Sequence, residues 1–346
     1  DITHCLRCQY PVPDWDVAYA VTLGREPINP RPHAQAAIFR QTAPLSCGFL
    51  VYSEGCNDDV NKIVWAALGW DPDADVTAVL REYSRCFLGE RFERSFADGL
   101  LALERNWTGP LLADDRVEAT LAHFQALERQ SPPATRCNWR FQQALYRAYY
   151  DAYVRRRLEY ETRLQAEAME QLRAAPRTMS LAAIAAAEAI LDRAVTEPVA
   201  TDLRARLFEL AEALFQSIRM QLSVAKYQAI ALHRGANLDA VDHPLNDRPW
   251  LKRRFAAIRA LPTEAERLVA LREIVHWDDP GPGGYYDDLG DPARRPHLVA
   301  GPGFPADPEF KASALTGFAS VPDARLGWQR HAEALYDQPL RLRYPG

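Results

Sequence analysis

The 346-residue sequence predicts a mainly α-helical protein: a helical bundle domain preceded by the last strand–helix units of an incomplete α/β domain. Apolar residues recur at steps of three and four through most of residues 58–275, which is typical of amphipathic helices. A short β-prone run at residues 47–52 is followed almost at once by the first of these helical patterns, as in a βα unit. Glycine and proline interrupt the pattern from residue 276 onward.

These patterns divide the chain into three parts. Residues 1–57 predict only the C-terminal strands of an α/β domain, because one or two strands cannot close a sheet. Residues 58–275 predict the helical domain. Residues 276–346 predict an irregular Gly/Pro-rich segment that leads toward a β-rich module outside this sequence.

Within the helical part, stop and cap residues predict where helices begin and end. Gly69 and Gly89 are expected to end the first two helices, and Asp73 to cap the second. A capping box of Thr263 and Glu266 is expected to open the last one.

Two long helices are expected near residues 138–173 and 201–233. Their apolar stripes predict that they pack side by side, with Leu207, Leu214 and Leu222 in the contact. Arg155 to Arg157, in the middle of the first long helix, are interpreted as a solvated face.

Composition excludes several classes of partner. The net charge of -5 and pI near 6.0 disfavour nucleic acid, and no apolar run approaches the ~20 residues of a membrane span. Cys5 and Cys8 lack a second ligand pair, so neither a zinc site nor any other metal or cofactor is predicted. The sequence opens at Asp1 and not with Met or a basic targeting region, so we expect that a preceding segment has been removed or that the sequence begins within a longer protein. The location is therefore not predicted, and a bacterial periplasmic or secreted one stays open. The oligomeric state is not predicted.

The candidate catalytic residue is Glu54, directly after the β-prone run, where strand ends carry functional groups in α/β folds. Arg7, Asp14 and Trp15 follow a first predicted strand at Ile2–Tyr10 and are candidate substrate-binding residues. Parallel neighbouring strands would place both groups at one cleft. Asp58 is a further binding candidate, with the alternative that it caps the following helix.

A second candidate lies in the aromatic, acidic and Gly-rich loop at residues 277–291. Tyr285 and Tyr286 are its expected sugar contacts, with a purely structural loop as the alternative. The acids of this loop lack EF-hand spacing. Elsewhere, Asn106-Trp107-Thr108 forms a glycosylation sequon.

The run Gly48-Phe-Leu-Val-Tyr-Ser-Glu-Gly55, followed by Asn57-Asp-Asp-Val-Asn-Lys62 and Leu68-Gly-Trp-Asp-Pro72, carries a family resemblance. It resembles the exit of the last barrel strand into the helical domain of large bacterial glycoside-hydrolase-like proteins of the α-glucuronidase-like and hexosaminidase-like kind. The resemblance implies a TIM-barrel-like α/β part and a carbohydrate ligand, and it carries over no catalytic motif residue by residue.

Two functions are therefore expected. The first is a carbohydrate-active, glycoside-hydrolase-like protein that acts on or binds a glycan, with Glu54 and a second carboxyl group about 5–9.5 Å away. The alternative is a non-catalytic helical module that binds a ligand or partner. Such a module would expose an apolar patch of more than a few hundred Å².

Overall fold

A computed structural model describes residues 17–22, 27–51, 55–106, 111–229 and 236–276, together with the backbone of 286–287 and 297–298. These residues are mainly helical, which confirms the predicted helical domain. The α-helices are α1 (Val17–Thr22), α2 (Pro32–Thr42), α3 (Asp59–Trp70), α4 (Val76–Leu88), α5 (Glu93–Arg105), α6 (Arg116–Gln130), α7 (Pro133–Arg136), α8 (Trp139–Arg173), α9 (Ala175–Thr178), α10 (Ser180–Thr196), α11 (Thr201–Ile218), α12 (Val224–Tyr227), α13 (Asn237–Ala240), α14 (Arg248–Arg259) and α15 (Glu264–Val275). Single 3-10 turns lie at Ala43–Leu45, Cys56–Asp58, Glu90–Phe92 and Leu111–Ala113.

The 35-residue helix α8 is the spine of the fold and is about 52 Å long at ~1.5 Å per residue. It begins where the sequence predicts, because the Asn138 side chain accepts a hydrogen bond from the Arg140 N–H (2.9 Å). Helices α6, α10 and α11 all pack along it. Its predicted span, residues 138–173, is confirmed.

Two hydrophobic clusters share this spine. The first joins the N-terminal half of α8 to the six helices that precede α7 (α1, α2, α3, α4, α5 and α6) and to α11. The second joins the C-terminal half of α8, at Ala168 and Leu172, to α10, α14 and α15. A single continuous helix therefore connects two cores that are otherwise built from different parts of the sequence.

The predicted pairing of the two long helices is confirmed. Leu207, Leu214 and Leu222 are fully buried. The helices run antiparallel: Gln143, early in α8, donates to the Met220 sulfur beyond the end of α11 (3.5 Å).

The predicted span of the second long helix is wrong, because α11 ends at Ile218. Arg219 adopts the left-handed conformation (φ 59), and its N–H bonds back to the Phe215 carbonyl (2.9 Å). This is the hydrogen-bond pattern of an αL stop, which usually carries glycine at this position. An arginine in that position gives no stop signal in the sequence.

Two smaller end signals also need correction. Asp75, not Asp73, caps α4 by accepting from the Thr77 N–H (3.0 Å). Helix α3 does not end at Gly69 but continues to Trp70. The missing side chain of Gly69 instead leaves space for the Phe49 ring. Gly89 ends α4 at φ 100, as predicted.

The predicted strand at residues 47–52 is wrong over its described part, because residues 47–51 have irregular backbone. A strand requires a ladder partner, and no hydrogen bond joins the backbone of 47–51 to the rest of the described chain. Ile2–Tyr10, the other predicted strand, lies outside the described residues. The described residues before 58 thus hold helices α1 and α2 and no barrel strand.

Within the C-terminal 70 residues, two short strands are described. Tyr286–Asp287 (β1) pairs antiparallel with His297–Leu298 (β2), so Tyr286 lies opposite Leu298. The prediction of a β-rich module farther on remains a prediction.

The N-terminus of α2 is capped from another helix. Glu104, near the end of α5, accepts from the backbone N–H groups of His33 (2.9 Å) and Ala34 (2.8 Å), since the preceding Arg31 has no acceptor to offer. We expect Glu104→Ala to lower the free energy of unfolding by about 1 kcal/mol, the usual cost of a lost cap. Urea unfolding measures it. Glu104→Gln keeps one acceptor and is expected to cost less, and equal losses in the two variants would contradict the capping role.

Candidate functional site

Most of the predicted site residues lie outside the described part of the chain. Glu54, Arg7, Asp14, Trp15 and Tyr285 are among these, and so are Cys5 and Cys8. Of Tyr286 only the backbone is described, in β1. The cleft predicted between Glu54, Arg7 and Asp14 therefore stays a prediction.

Asp58 is the predicted site residue whose side chain is described, and it is buried. Asn61, one turn along α3, donates through Nδ2 to Asp58 Oδ1 (3.1 Å) and to the Asn29 carbonyl (3.1 Å). Its Oδ1 accepts from the Arg31 N–H (2.8 Å). Burial lowers the pKa of the Arg31 guanidinium, and the negative charge of Asp58 opposes that shift. Asp58 makes no cap hydrogen bond to α3 and instead helps to hold the 27–31 segment.

The turn that follows Glu54 has a fixed base. Lys62 Nζ donates to the Gly55 carbonyl (2.7 Å), and Asn57 Nδ2 donates to the Pro27 carbonyl (3.3 Å). In both hydrogen bonds the acceptor is a backbone carbonyl and not a side chain. Residues 55–58 are therefore held on one side by α3 and on the other by the 27–31 segment.

A buried ion pair lies in the N-terminal half of α8. The Arg147 and Asp151 side chains are 2% and 0% exposed and form an i,i+4 pair. Arg147 Nη1 donates to the Ile28 carbonyl (3.4 Å), and its guanidinium lies 4.6 Å from the centre of the Tyr150 ring. The pair fixes the 27–31 segment from beneath.

Asp151 of the buried ion pair also contacts Asn106 of the glycosylation sequon. Asn106 is buried and donates through Nδ2 to Asp151 Oδ2 (2.9 Å), while its Oδ1 accepts from Thr120 Oγ1 (3.0 Å). Nδ2 is the atom that an N-linked glycan would occupy. In the folded chain Asn106 Nδ2 is therefore not accessible for glycosylation. Instead, Asn106 joins α5 and α6 to α8.

A second buried network clamps the loop between α13 and α14 to α8. Arg157 donates to the carbonyls of Val241 (2.6 Å) and His243 (2.7 Å) and to Glu161 Oε1 (2.6 Å). Glu161 Oε2 accepts from the Leu245 N–H (2.7 Å). A segment without regular structure thus has its backbone polar groups satisfied by two charged side chains.

The rim of this network contains a carboxylate with a shifted pKa. Asp242 accepts from the Tyr153 hydroxyl (2.6 Å) and from Arg204 through two nitrogens (2.9 and 2.6 Å). Burial acts to raise the pKa of Asp242, but the Arg204 and Tyr153 hydrogen bonds outweigh it and lower the pKa below the ordinary value.

A depressed carboxyl pKa stabilises the fold above the unfolded pKa of ~3.9, and the contribution is lost as pH falls through the folded pKa. We expect Asp242→Asn to be less stable than the wild type near neutral pH and to lose less stability on acidification. Urea unfolding at a series of pH values from neutral to about 2 tests this. Parallel pH profiles for the two proteins would contradict it.

The prediction of a solvated face at Arg155–Arg157 is wrong. Arg157 is buried in the clamp, and Arg155 and Arg156 form ion pairs with Glu118 (3.7 and 2.8 Å). A signal was present in the sequence: Tyr150, Arg157 and Leu164 are seven residues apart and share the buried face of α8. The sequence identifies Asn106 only as part of the sequon, because its role in the fold depends on contacts with Thr120 and Asp151 of other helices.

An apolar surface lies where residues 45–50 cross α3. Leu45, Leu50 and Trp70 are 87%, 91% and 92% exposed. Phe49 holds the two parts together, because its ring packs on Phe39 and Trp65 and against Gly69. Leu50 follows Phe49 and Trp70 follows Gly69, so both large side chains flank that contact. We call Leu45, Phe49, Leu50 and Trp70 the Leu50–Trp70 surface.

The rim of this surface carries charges of both signs. Arg40 of α2 donates to the carbonyls of Pro72 (3.2 Å) and Ala74 (2.9 Å), and so lies against the turn that follows Trp70. Asp71 and Asp73 of that turn are exposed. An apolar centre with a charged rim is the usual anatomy of a protein interface.

Comparison with known protein families, with curated proteins and with solved structures finds no match for this chain. Among the described residues, no group of three or more His, Cys, Asp or Glu side chains is placed to hold a metal ion. None of the helices in the same part of the chain has the length and apolar character that crossing a membrane requires. Among the large apolar side chains that the structure describes, Leu45, Leu50 and Trp70 of the Leu50–Trp70 surface are the most exposed.

Proposed function

We propose that this chain is a non-catalytic helical module that binds a protein partner through the Leu50–Trp70 surface. One observation carries the proposal: Leu45, Leu50 and Trp70 are each about nine-tenths exposed, and Leu50 and Trp70 flank the contact between Phe49 and Gly69. Together with Phe49 they expose on the order of 500 Å² of apolar area. That is within the range of the largest patches on soluble proteins, which are often functional.

Packed aromatic side chains support part of this surface, and such support reduces the entropic cost of binding. Phe49 contacts Phe39 at 5.5 Å and Trp65 at 5.6 Å between ring centres, and Trp65 Nε1 donates to Gln35 (2.7 Å). Trp70 extends from the last turn of α3. Tryptophan on such a support is the residue type most enriched among binding hot spots.

The test immobilises three forms of the full chain and measures how much of a partner protein each form retains from a cell extract. Wild type and Val269→Ser are expected to retain the same partner in equal amounts, because Val269 is an exposed apolar residue on α15, away from the Leu50–Trp70 surface. Trp70→Ser is expected to retain at least tenfold less of it, since hot-spot truncation costs ~2 kcal/mol or more. Equal retention by Trp70→Ser and wild type would refute the proposal.

A second candidate is the carbohydrate-active function that the resemblance implies. It is favoured by the fixed base after Glu54, where Lys62 and Asn57 hold backbone at Gly55 and Pro27. Functional carboxylates require such support to keep their geometry. In this alternative Glu54 is the acid/base residue, and Arg7, Asp14, Trp15, Asp58, Tyr285 and Tyr286 contact the glycan.

Glu54→Gln tests this second candidate because it keeps the shape of the side chain and removes its charge. We expect hydrolysis of aryl glycosides, or binding to a glycan array, to fall at least a hundredfold. Asp73→Asn is the matched control, a charge-removing change in an exposed turn. Unchanged activity or binding in Glu54→Gln would exclude a chemical role for Glu54.

A further inference from the structure

The segment Cys47–Val51 combines β-prone residues with open backbone. Ser46, which precedes it, is already extended (φ -136, ψ 153). No hydrogen bond from the described chain reaches the N–H or C=O groups of 47–51, and residues 47–50 are exposed. Such a row of open donors and acceptors is a template for pairing with another strand.

Two successive side chains of this segment have different surroundings, as successive residues of a strand do. The Phe49 ring packs against Phe39, Trp65 and Gly69 and is about half exposed, whereas Leu50 is almost fully exposed. The register of the segment on the helical domain is therefore set by Phe49.

We propose that residues 47–51 of two copies of this chain pair as antiparallel β-strands, which makes the Leu50–Trp70 surface a homodimer interface. The proposal rests on the proposed function and names its partner. An antiparallel strand pair is self-complementary, so the same five residues serve on both sides of a two-fold axis. Leu50 and Trp70 of each copy then pack beside the paired strands.

The size and charge of the surface fit a second copy. Homodimer interfaces are about 65% apolar and bury ~800 Å² per partner, so an apolar centre on the order of 500 Å² is the expected amount. Arg40 lies beside Asp71 and Asp73 in the same rim. Each copy thus presents positive and negative side chains to the other, so the two rims do not repel each other as two surfaces of like charge would.

Sedimentation velocity of the full chain, from nanomolar to high micromolar concentration, tests the dimer. We expect a monomer–dimer equilibrium with a micromolar Kd. Leu50→Pro removes a backbone donor and is expected to weaken it at least tenfold. Gly69→Ala places a methyl group where the Phe49 ring lies and is also expected to weaken it, while favouring helix α3 itself. Val269→Ser is the matched control and is expected to leave Kd unchanged.

Hydrogen exchange at the amides of residues 48–51 tests the strand pairing. Alternate amides are expected to slow as the dimer forms and to stay fast in Leu50→Pro. A monomer at every concentration, a dimer indifferent to Leu50→Pro, or open-ended aggregates would each overturn the proposal. A third outcome is a monomeric chain that still retains another protein in the affinity experiment in a Trp70-dependent manner. The proposed binding function then stands, and only a second copy as the partner is excluded.

Discussion

Asp151→Ala is expected to lower the free energy of unfolding by about 3–5 kcal/mol, because it leaves the guanidinium of Arg147 buried without its carboxylate. The same change removes the acceptor of Asn106, whose side chain holds α5 and α6 to α8 through Thr120. Both losses occur in a region with almost no contact with water. Urea unfolding followed by circular dichroism measures the change.

Two controls separate this buried pair from ordinary surface charge. Glu159→Gln breaks the pair between Glu159 and Arg155 on the same helix, at a glutamate that is 44% exposed, and is expected to cost less than about 0.5 kcal/mol. The double variant Arg147→Met/Asp151→Leu is expected to be more stable than Asp151→Ala, since no buried charge is left alone. A cost below 1 kcal/mol for Asp151→Ala would show that the pair does not hold the 27–31 segment.

Local sequence signals predicted the helices well and their ends less well. The stripes of α8 and α11 and the capping box at Thr263 rest on interactions within a few residues of each other, so they can be read from the sequence. The ends of α3 and α11 could not be predicted from the residue types at those positions. Gly69 leaves space for the Phe49 ring and does not end α3, and Arg219 adopts a left-handed backbone conformation that glycine usually takes.

The strand predicted at residues 47–52 failed for a different reason. Its composition is that of a strand, and the side chains of Phe49 and Leu50 alternate, but a strand also needs a partner. Propensity describes one chain segment, whereas pairing is a property of two. The homodimer proposal restores the missing half of that interaction.

The polar networks of α8 could be predicted only in part. The seven-residue spacing of Tyr150, Arg157 and Leu164 places Arg157 on the buried face, yet its carbonyl partners lie more than 80 residues away. An i,i+4 arginine–glutamate pair has the same sequence pattern whether it is exposed or buried. Only the position of the 241–247 loop distinguishes the two cases.

Arg157→Met is expected to release that loop. The substitution keeps an apolar side chain of similar length but removes the donors to Val241 and His243 and leaves Glu161 buried beside the Leu245 N–H alone. Loss of one partner of a buried pair costs about 3–5 kcal/mol. Because the clamp holds one segment rather than a core helix, we expect the loss to appear first as local opening of residues 241–247.

The Leu245 amide reports this opening directly, since it donates to Glu161 in the closed loop. Its hydrogen exchange is expected to accelerate by roughly a hundredfold or more, which corresponds to about 3 kcal/mol of local stability. Core amides of α8 such as Ala152 are expected to change less. Arg163→Met is the matched control, because Arg163 lies on the same helix, is 64% exposed and pairs with Glu167 (3.8 Å). It is expected to leave hydrogen exchange at Leu245 unchanged. If Arg157→Met accelerates exchange at Ala152 as much as at Leu245, the clamp stabilises the whole fold and not the loop in particular.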